Sequence, residues 1–196
     1  MINNAGSGHV GTLEQETIDD VRAVMEVNFF GVLTVTRAAL PHLRASSGRV
    51  VTVTSVGGVV GQPLNEAYFT AKFAVEGFIE PLAPVAASAG VRVVVVVVEP
   101  GAVASDFISN TGVDTFDTAE AGPYAITLRS YLDRTLNAFA GAQTRAEAAA
   151  SIVAVLCAES PAFRSQTSDQ ARGLAGIKLA DLDGAAVQRV TGSWLA

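Results

Sequence analysis

The amino-acid sequence predicts an α/β fold built on a parallel sheet, and three observations carry that expectation. Val50-Val51-Thr52-Val53-Thr54 is a β-branched run of strand length. Six valines, Val93 to Val98, lie between Arg92 and Glu99, the pattern of a central parallel strand buried on both faces. Between the two runs, Tyr68, Lys72, Val75, Ile79 and Leu82 follow one another at spacings of four, three, four and three, the period of one helical face.

The elements follow in chain order. Ile2-Asn3 reads as a strand remnant, and Gly6-Ser7-Gly8-His9-Val10-Gly11 as the turn after it. These glycines do not make a dinucleotide fingerprint, which needs a full strand ahead of it. Thr17-Ile18-Asp19-Asp20 has the form of a capping box and opens helices over about residues 17–43, with Val21, Val24, Met25, Asn28 and Val32 on one face. A strand over about 50–54, the Tyr68 helix through Leu82 and a strand over 91–98 come next. Pro81 and Pro84 are expected to kink or end that helix, at a cost of ~3 kcal/mol each in a helix interior. A long irregular segment over about 102–143 carries Phe107, Phe116, Tyr124 and Tyr131 with weak periodicity, and is expected to be a substrate lid, with a mobile surface excursion as the alternative. A second capping box, Thr144-Arg145-Ala146-Glu147, opens an Ala/Val/Leu helix, and a mixed region ends at Gly192-Ser193-Trp194. No internal repeat or linker breaks residues 1–196, so one domain is expected.

Composition narrows the function. The chain is 49% hydrophobic and only 16% charged, so part of its apolar surface is expected to meet a partner. A net charge of −6 with two lysines excludes a basic patch for nucleic acid. The valine run falls far short of the ~20 residues of a membrane span, and Met1 leads into Asn3-Asn4 with no basic start or apolar stretch, so neither a span nor a signal peptide is expected. The single cysteine, Cys157, rules out an intrachain disulfide and is expected to be an inert buried thiol. A cytoplasmic protein is the default. His9 and His42 have no carboxylate or cysteine at ligand spacing, so no metal site is expected.

Chemistry enters where polar residues interrupt apolar faces, as happens at functional sites. Tyr68 and Lys72 stand at i and i+4 on one helix, where an ammonium can lower the pKa of a phenol. Two charges ~5 Å apart at an effective dielectric of ~20 interact by roughly 3 kcal/mol, about two pK units. An exposed amphipathic pair is the alternative for these two residues taken alone. Asn28 is a poor helix former at a position where a hydrophobe is expected, and a satisfied core asparagine is its alternative.

Asn28, Ser55, Tyr68 and Lys72 together resemble, in order, spacing and local structure, the tetrad of the short-chain dehydrogenase/reductase family. Asn3-Asn4-Ala5-Gly6 is similar to that family's fourth-strand motif, and Glu99-Pro100-Gly101-Ala102-Val103 to its sixth-strand cofactor turn. The segments Ser55 to Tyr68, Lys72 to Phe78 and Phe163 to Ser168 most resemble the 17β-hydroxysteroid dehydrogenase type 1 and retinol dehydrogenase-like branch, although Gln62 is polar where that branch tends to be apolar.

The resemblance implies a Rossmann-like, doubly wound parallel sheet with flanking helices, lacking the first three strands and the glycine-rich pyrophosphate turn, ~70 residues by the usual size of such units. It implies hydride transfer between an alcohol and a ketone or aldehyde, with NAD or NADP as cofactor and a small-molecule substrate. In that scheme Tyr68 exchanges the hydroxyl proton, Lys72 lowers its pKa and holds the nicotinamide ribose, Ser55 hydrogen-bonds the carbonyl oxygen, and Asn28 positions a water. Asn4, Ala5, Gly6, Tyr68, Lys72, Pro100, Gly101 and Val103 would line the cofactor, with Ser105 retaining a hydroxyl for the carboxamide. It further implies a homo-oligomer assembled through the Tyr68 helix. A non-catalytic remnant that serves as a binding or assembly partner is the alternative.

Overall fold

The computed structural model describes residues 1–97, 103–107, 111 and 118–195. A parallel sheet runs through them: β1 (Ile2–Asn3), β2 (Arg49–Val53), β3 (Arg92–Val97) and β4 (Arg164–Gln166), hydrogen-bonded in that order. The register sets Ile2 beside Val51, Val51 beside Val94 and Val95 beside Arg164. Each parallel pair needs a crossover, and helices supply it. Helices α1 (Ile18–Met25) and α2 (Gly31–Ala45) join β1 to β2, and α3 (Glu66–Ser88) joins β2 to β3. A 3-10 segment (Thr118–Tyr124), α4 (Ala125–Ala140) and α5 (Arg145–Cys157) precede β4. Helices α6 (Asp169–Ala180) and α7 (Ala185–Gly192) complete the described chain with a short 3-10 turn, Ser193–Leu195. The α/β class and its parallel sheet are therefore as expected.

Local signals were met where they were strongest. Thr17 caps α1 with both capping-box bonds: the Asp20 amide donates to Thr17 Oγ1 at 3.2 Å, and the Thr17 amide donates to Asp20 Oδ2 at 2.9 Å. Thr144 and Glu147 repeat the arrangement on α5. The apolar face of α3 lies on the sheet, where Val75 and Ile79 join Val50, Val56 and Val91 in the main core. Ile79 is fully buried, so Ile79→Ala is expected to cost about 2–5 kcal/mol in a denaturant titration.

Several expectations are corrected. Helix α3 does not end near Leu82 but continues through Pro81 and Pro84 to Ser88. Both prolines lie on its exposed face, as do Gly77 and Glu80, whose carbonyls the prolines leave without an amide donor, and water can take them there. The helix stops where Gly90 adopts φ +79° and two bonds close the end: the Val91 amide donates to the Ala86 carbonyl at 2.9 Å, and the Gly90 amide to Ala87 at 3.0 Å. The stretch over 102–143 is not an irregular excursion, because residues 118–140 are 3-10 and α-helical; Phe116 lies outside the described residues. Cys157 is exposed rather than buried, since it is the last residue of α5, past the helical positions that face the sheet. Strand β4 had no sequence signal: Arg164-Ser165-Gln166 becomes a strand by pairing with the valines of β3.

The helix between β1 and β2 is divided by a π-helical turn, Glu26–Phe30, centred on Asn28. The continuous helical run Ile18–Ala45 is 28 residues and, by length and composition alone, apolar enough to cross a membrane. It carries the fully buried polar residues Asn28 and Thr36, and Thr36 accepts a hydrogen bond from the Asn3 side chain at 2.9 Å. These contacts are those of a helix packed on a sheet.

Candidate active site

The parallel sheet directs the C-terminal ends of β1 and β2 toward one edge of the fold, where chain turns and helix starts meet. Beyond β2, Ser55 keeps an extended backbone, and its Oγ accepts from the Gly57 amide at 3.0 Å as a 3-10 turn, Val56–Gly58, begins. Helix α3 then presents Tyr68 in its first turn and Lys72 one turn later. Ser55, Tyr68 and Lys72 are all buried, and Asn28 is fully so. The Tyr68 phenol is hydrogen-bonded to Ser55, and Lys72 Nζ lies 5.5 Å from the centre of the Tyr68 ring.

Gly6 connects these groups to the turn after β1. A Cβ placed there would lie 2.8 Å from Asn28 Oδ1 and 3.4 Å from Lys72 Nζ, so the backbone at Gly6 abuts both side chains. Asn28 holds the turn in place. Its Nδ2 donates to the carbonyls of Ser7 at 2.9 Å and Val24 at 3.0 Å, while its Oδ1 accepts from the Ser7 amide at 3.2 Å. The π turn explains why Val24 is a partner: the widened backbone brings the amide onto the preceding turn and leaves that carbonyl to it. Asn28 is thus a satisfied core asparagine as well as a neighbour of the site.

Aromatic side chains wall the phenol. The Tyr68 ring meets Phe69 at 5.2 Å and Phe107 at 5.6 Å between centroids. Phe107 also reaches the turn after β1, where a Cβ on Gly8 would lie 2.9 Å from its Cζ. Gly57 sits under the Phe69 ring with no room for a methyl group. Gly57→Ala must therefore displace Phe69 and the Tyr68 ring against it, and is expected to lower stability by about 1–3 kcal/mol, read from the urea midpoint. Asn65 precedes α3 and donates to the Tyr131 hydroxyl on α4 at 2.7 Å, which ties α4 to the start of the helix bearing Tyr68.

The electrostatics differ from the expectation in one respect. The phenol of Tyr68 does not end up lowered: burial pushes it well above the usual tyrosine range, and the hydrogen bond with Ser55 opposes this only in part. Burial also brings the Lys72 ammonium down to about 8, with Glu76 pulling the other way. Removing both groups from water outweighs their mutual effect, because desolvation penalises each charged form.

Of the residues expected to line a cofactor, Asn4, Ala5 and Gly6 form an exposed turn beside Lys72. Val103 is bridged to Gln143, and Ser105 Oγ accepts from the Phe107 amide at 3.4 Å, which places this segment next to the phenol. Pro100 and Gly101 lie outside the described residues. The donor set fits a nicotinamide ribose on one observation: Lys72 is a buried ammonium with three hydrogens and makes no hydrogen bond among the described residues. Among the described residues no cluster of His, Cys, Asp and Glu could hold a metal ion; His9 does have a carboxylate beside it, Glu16 at 3.3 Å.

Sequence reasoning missed Thr54, Glu76 and Arg164. Thr54 Oγ1 donates to Glu76 Oε1 at 2.7 Å, and Arg164 of β4 ion-pairs with Glu76 and, at 2.7 Å, with Glu80. A signal for Glu76 existed, since it stands four residues beyond Lys72 on the same face. None existed for Arg164.

Residues 1–114 match the family model described as short chain dehydrogenase. Retinol dehydrogenase 8 of Bos taurus is 33% identical over 198 residues, 97% of this chain and 62% of that protein. The 17-beta-hydroxysteroid dehydrogenase type 1 of Mus musculus is 32% identical over 191 residues, 94% of this chain and 54% of its own length. The chain thus spans somewhat more than half the length of these two relatives. Among solved structures, a short-chain dehydrogenase from Streptomyces avermitilis superposes with a TM-score of 0.69 at 25% identity, covering 98% of this chain and 68% of its own. One from Burkholderia cenocepacia, in complex with NADP, shares the fold with a TM-score of 0.72 at 24% identity, covering 97% and 67%. By its matched residues, its relatives and its parallel sheet, the chain belongs to the short-chain dehydrogenase family.

Proposed function

We propose that this protein is an NAD- or NADP-dependent oxidoreductase that interconverts a small-molecule alcohol and the corresponding ketone or aldehyde. The observation that carries the reading is the buried contact of Tyr68 with Ser55 and Lys72 in an aromatic-walled site. The family and the NADP complexes of structural neighbours support the cofactor class. A nicotinamide dinucleotide supplies the hydride acceptor or donor.

The chain's own residues divide the remaining work. Tyr68 gives its proton to the carbonyl oxygen in reduction and takes it from the alcohol in oxidation. Its high pKa keeps the phenol protonated at neutral pH, which suits the acid role. In the oxidative direction the positive charges of Lys72 and the oxidised nicotinamide favour the phenolate. Ser55 hydrogen-bonds the substrate oxygen beside Tyr68, and Lys72 offers its free hydrogens to ribose hydroxyls. Asn28 holds the Gly6-Ser7 turn against Lys72 and keeps one lone pair of Oδ1 for a water. Phe69 and Phe107 exclude bulk water from the phenol. Assembly through α3 accords with its exposed Phe73.

The test is turnover by the protein isolated from its source, with NAD or NADP and a panel of secondary and primary alcohols. Nicotinamide reduction that depends on Tyr68 supports the enzyme. Absence of turnover, together with absence of nucleotide binding, would favour the non-catalytic binding or assembly role.

A further inference from the structure

Glu76 lies one helical turn beyond Lys72 on α3, and both side chains are buried, at 4% and 5% exposure. Side chains at i and i+4 on a helix are neighbours. A charge so placed in an interior is retained only with partners, and this carboxylate has three groups around it. Thr54, the residue before Ser55, donates to Oε1 at 2.7 Å, Arg164 reaches Oε2 from β4, and Lys72 stands one helical turn before it on the same buried face of α3, where the carboxylate acts on its ammonium through space. Gly58 closes over the pair: a Cβ there would lie 2.8 Å from Glu76 Cγ and 3.1 Å from the Lys72 carbonyl. One side chain therefore joins the strand end that carries Ser55, the helix that carries Tyr68 and Lys72, and the outer strand β4, across 88 residues of sequence.

We propose that Glu76 is a positioning residue: it is the counter-charge that keeps the Lys72 ammonium protonated inside the fold, and Thr54 and Arg164 hold it ionised and aimed for that purpose. The proposal rests on the reading of Lys72 as the cofactor-binding and pKa-setting group. Among the described residues, the charged or titratable groups that bear on the pair are few. Tyr68 and Glu80 come from α3 itself and Arg164 from β4. The Val56–Gly58 turn brings none, and the charges of α1 and the π turn, Asp19, Asp20, Arg22 and Glu26, are exposed. Burial raises the Glu76 carboxyl above the usual carboxylate range, Thr54 and Arg164 oppose this only in part, and Glu80 adds to the rise. Among the described residues, Glu76 is the charge that opposes the burial driving Lys72 toward the neutral amine.

The experiment is a pH titration of lysine side chains by NMR on protein labelled at lysine Cε. The chain has two lysines, Lys72 and Lys178, and Lys178→Arg assigns the signals. In Glu76→Gln the Lys72 midpoint is expected to fall by about one pH unit or more, a tenfold loss of proton affinity, with Lys178 unmoved. Glu76→Asp, which keeps the charge, should restore most of the shift, and it serves as the informative comparison if Glu76→Gln does not fold. Thr54→Val provides a further variant that loosens the carboxylate without removing it, and should move the midpoint in the same direction by a smaller amount. A Lys72 midpoint unchanged in Glu76→Gln, or one that falls equally in Glu76→Asp, overturns the proposal. The titration needs no cofactor or turnover, so its failure is separate from failure of the oxidoreductase reading, which the Tyr68 variant tests.

Discussion

Tyr68→Phe is expected to lower turnover on the order of 10³-fold, within the range that a positioned proton donor contributes, while leaving the fold and nucleotide binding in place. The substitution removes one oxygen and nothing else. The ring keeps its contacts with Phe69 and Phe107, and Ser55 keeps the bond its Oγ accepts from the Gly57 amide. The loss of the Ser55–Tyr68 hydrogen bond should cost only about 1 kcal/mol, the net worth of such a bond. Steady-state rates and a thermal melt on the same preparation separate the two effects. A variant with unchanged turnover would remove Tyr68 from the chemistry. A variant that melts much earlier would mean that the hydroxyl is chiefly structural.

Lys72→Met should act in opposite directions on function and stability. Function falls because the ammonium that meets the ribose and favours the phenolate is gone, and nucleotide affinity and turnover should both drop. Stability should rise, because the native protein holds a buried ammonium near pKa 8 against an ordinary 10.5. The gap is worth about 3 kcal/mol at 1.36 kcal/mol per unit.

The pH dependence distinguishes this from a packing effect. Between pH 8 and 10.5 the unfolded chain binds more protons at this lysine than the native protein does, so native stability rises with pH across that window. Below the window the penalty is fully present; above it, the lysine is neutral in both states and the penalty is gone. The advantage of Lys72→Met should therefore be greatest at neutral pH and vanish above the window. Urea midpoints at pH 7 and pH 10.5 check the sign, and an advantage that does not change with pH would assign it to methionine packing.

Much of the fold was legible because its signals are local. The capping boxes at Thr17 and Thr144 involve residues three apart, the face of α3 is a spacing of three and four, and the β-branched runs of β2 and β3 mark strands by composition alone. The grouping of Asn28, Ser55, Tyr68 and Lys72 was legible only through its resemblance to the short-chain dehydrogenase tetrad, since taken singly Asn28 reads as a core asparagine and Tyr68 with Lys72 as an exposed pair. The path of α3 through Pro81 and Pro84 was not, since the cost of a proline depends on whether the freed carbonyl faces water. Arg164 likewise has no local reason to seek Glu76.

By itself, the sequence determined the capped helices and the β-branched strands with the polar residues they carry, because helix periods, caps and β-branched runs act within a few residues; β4, the helices over 118–140 and the full length of α3 came only with tertiary packing. Tertiary structure alone decided the electrostatics. Whether Lys72 lowers Tyr68, or burial raises it, depends on how much water the packed sheet, Phe69 and Phe107 exclude. Whether Lys72 keeps its proton depends on a carboxylate held by Thr54 and by an arginine 88 residues further along the chain than Glu76. Charge in a protein interior is set by solvation and by distant partners, and both come into being only when the chain closes on itself.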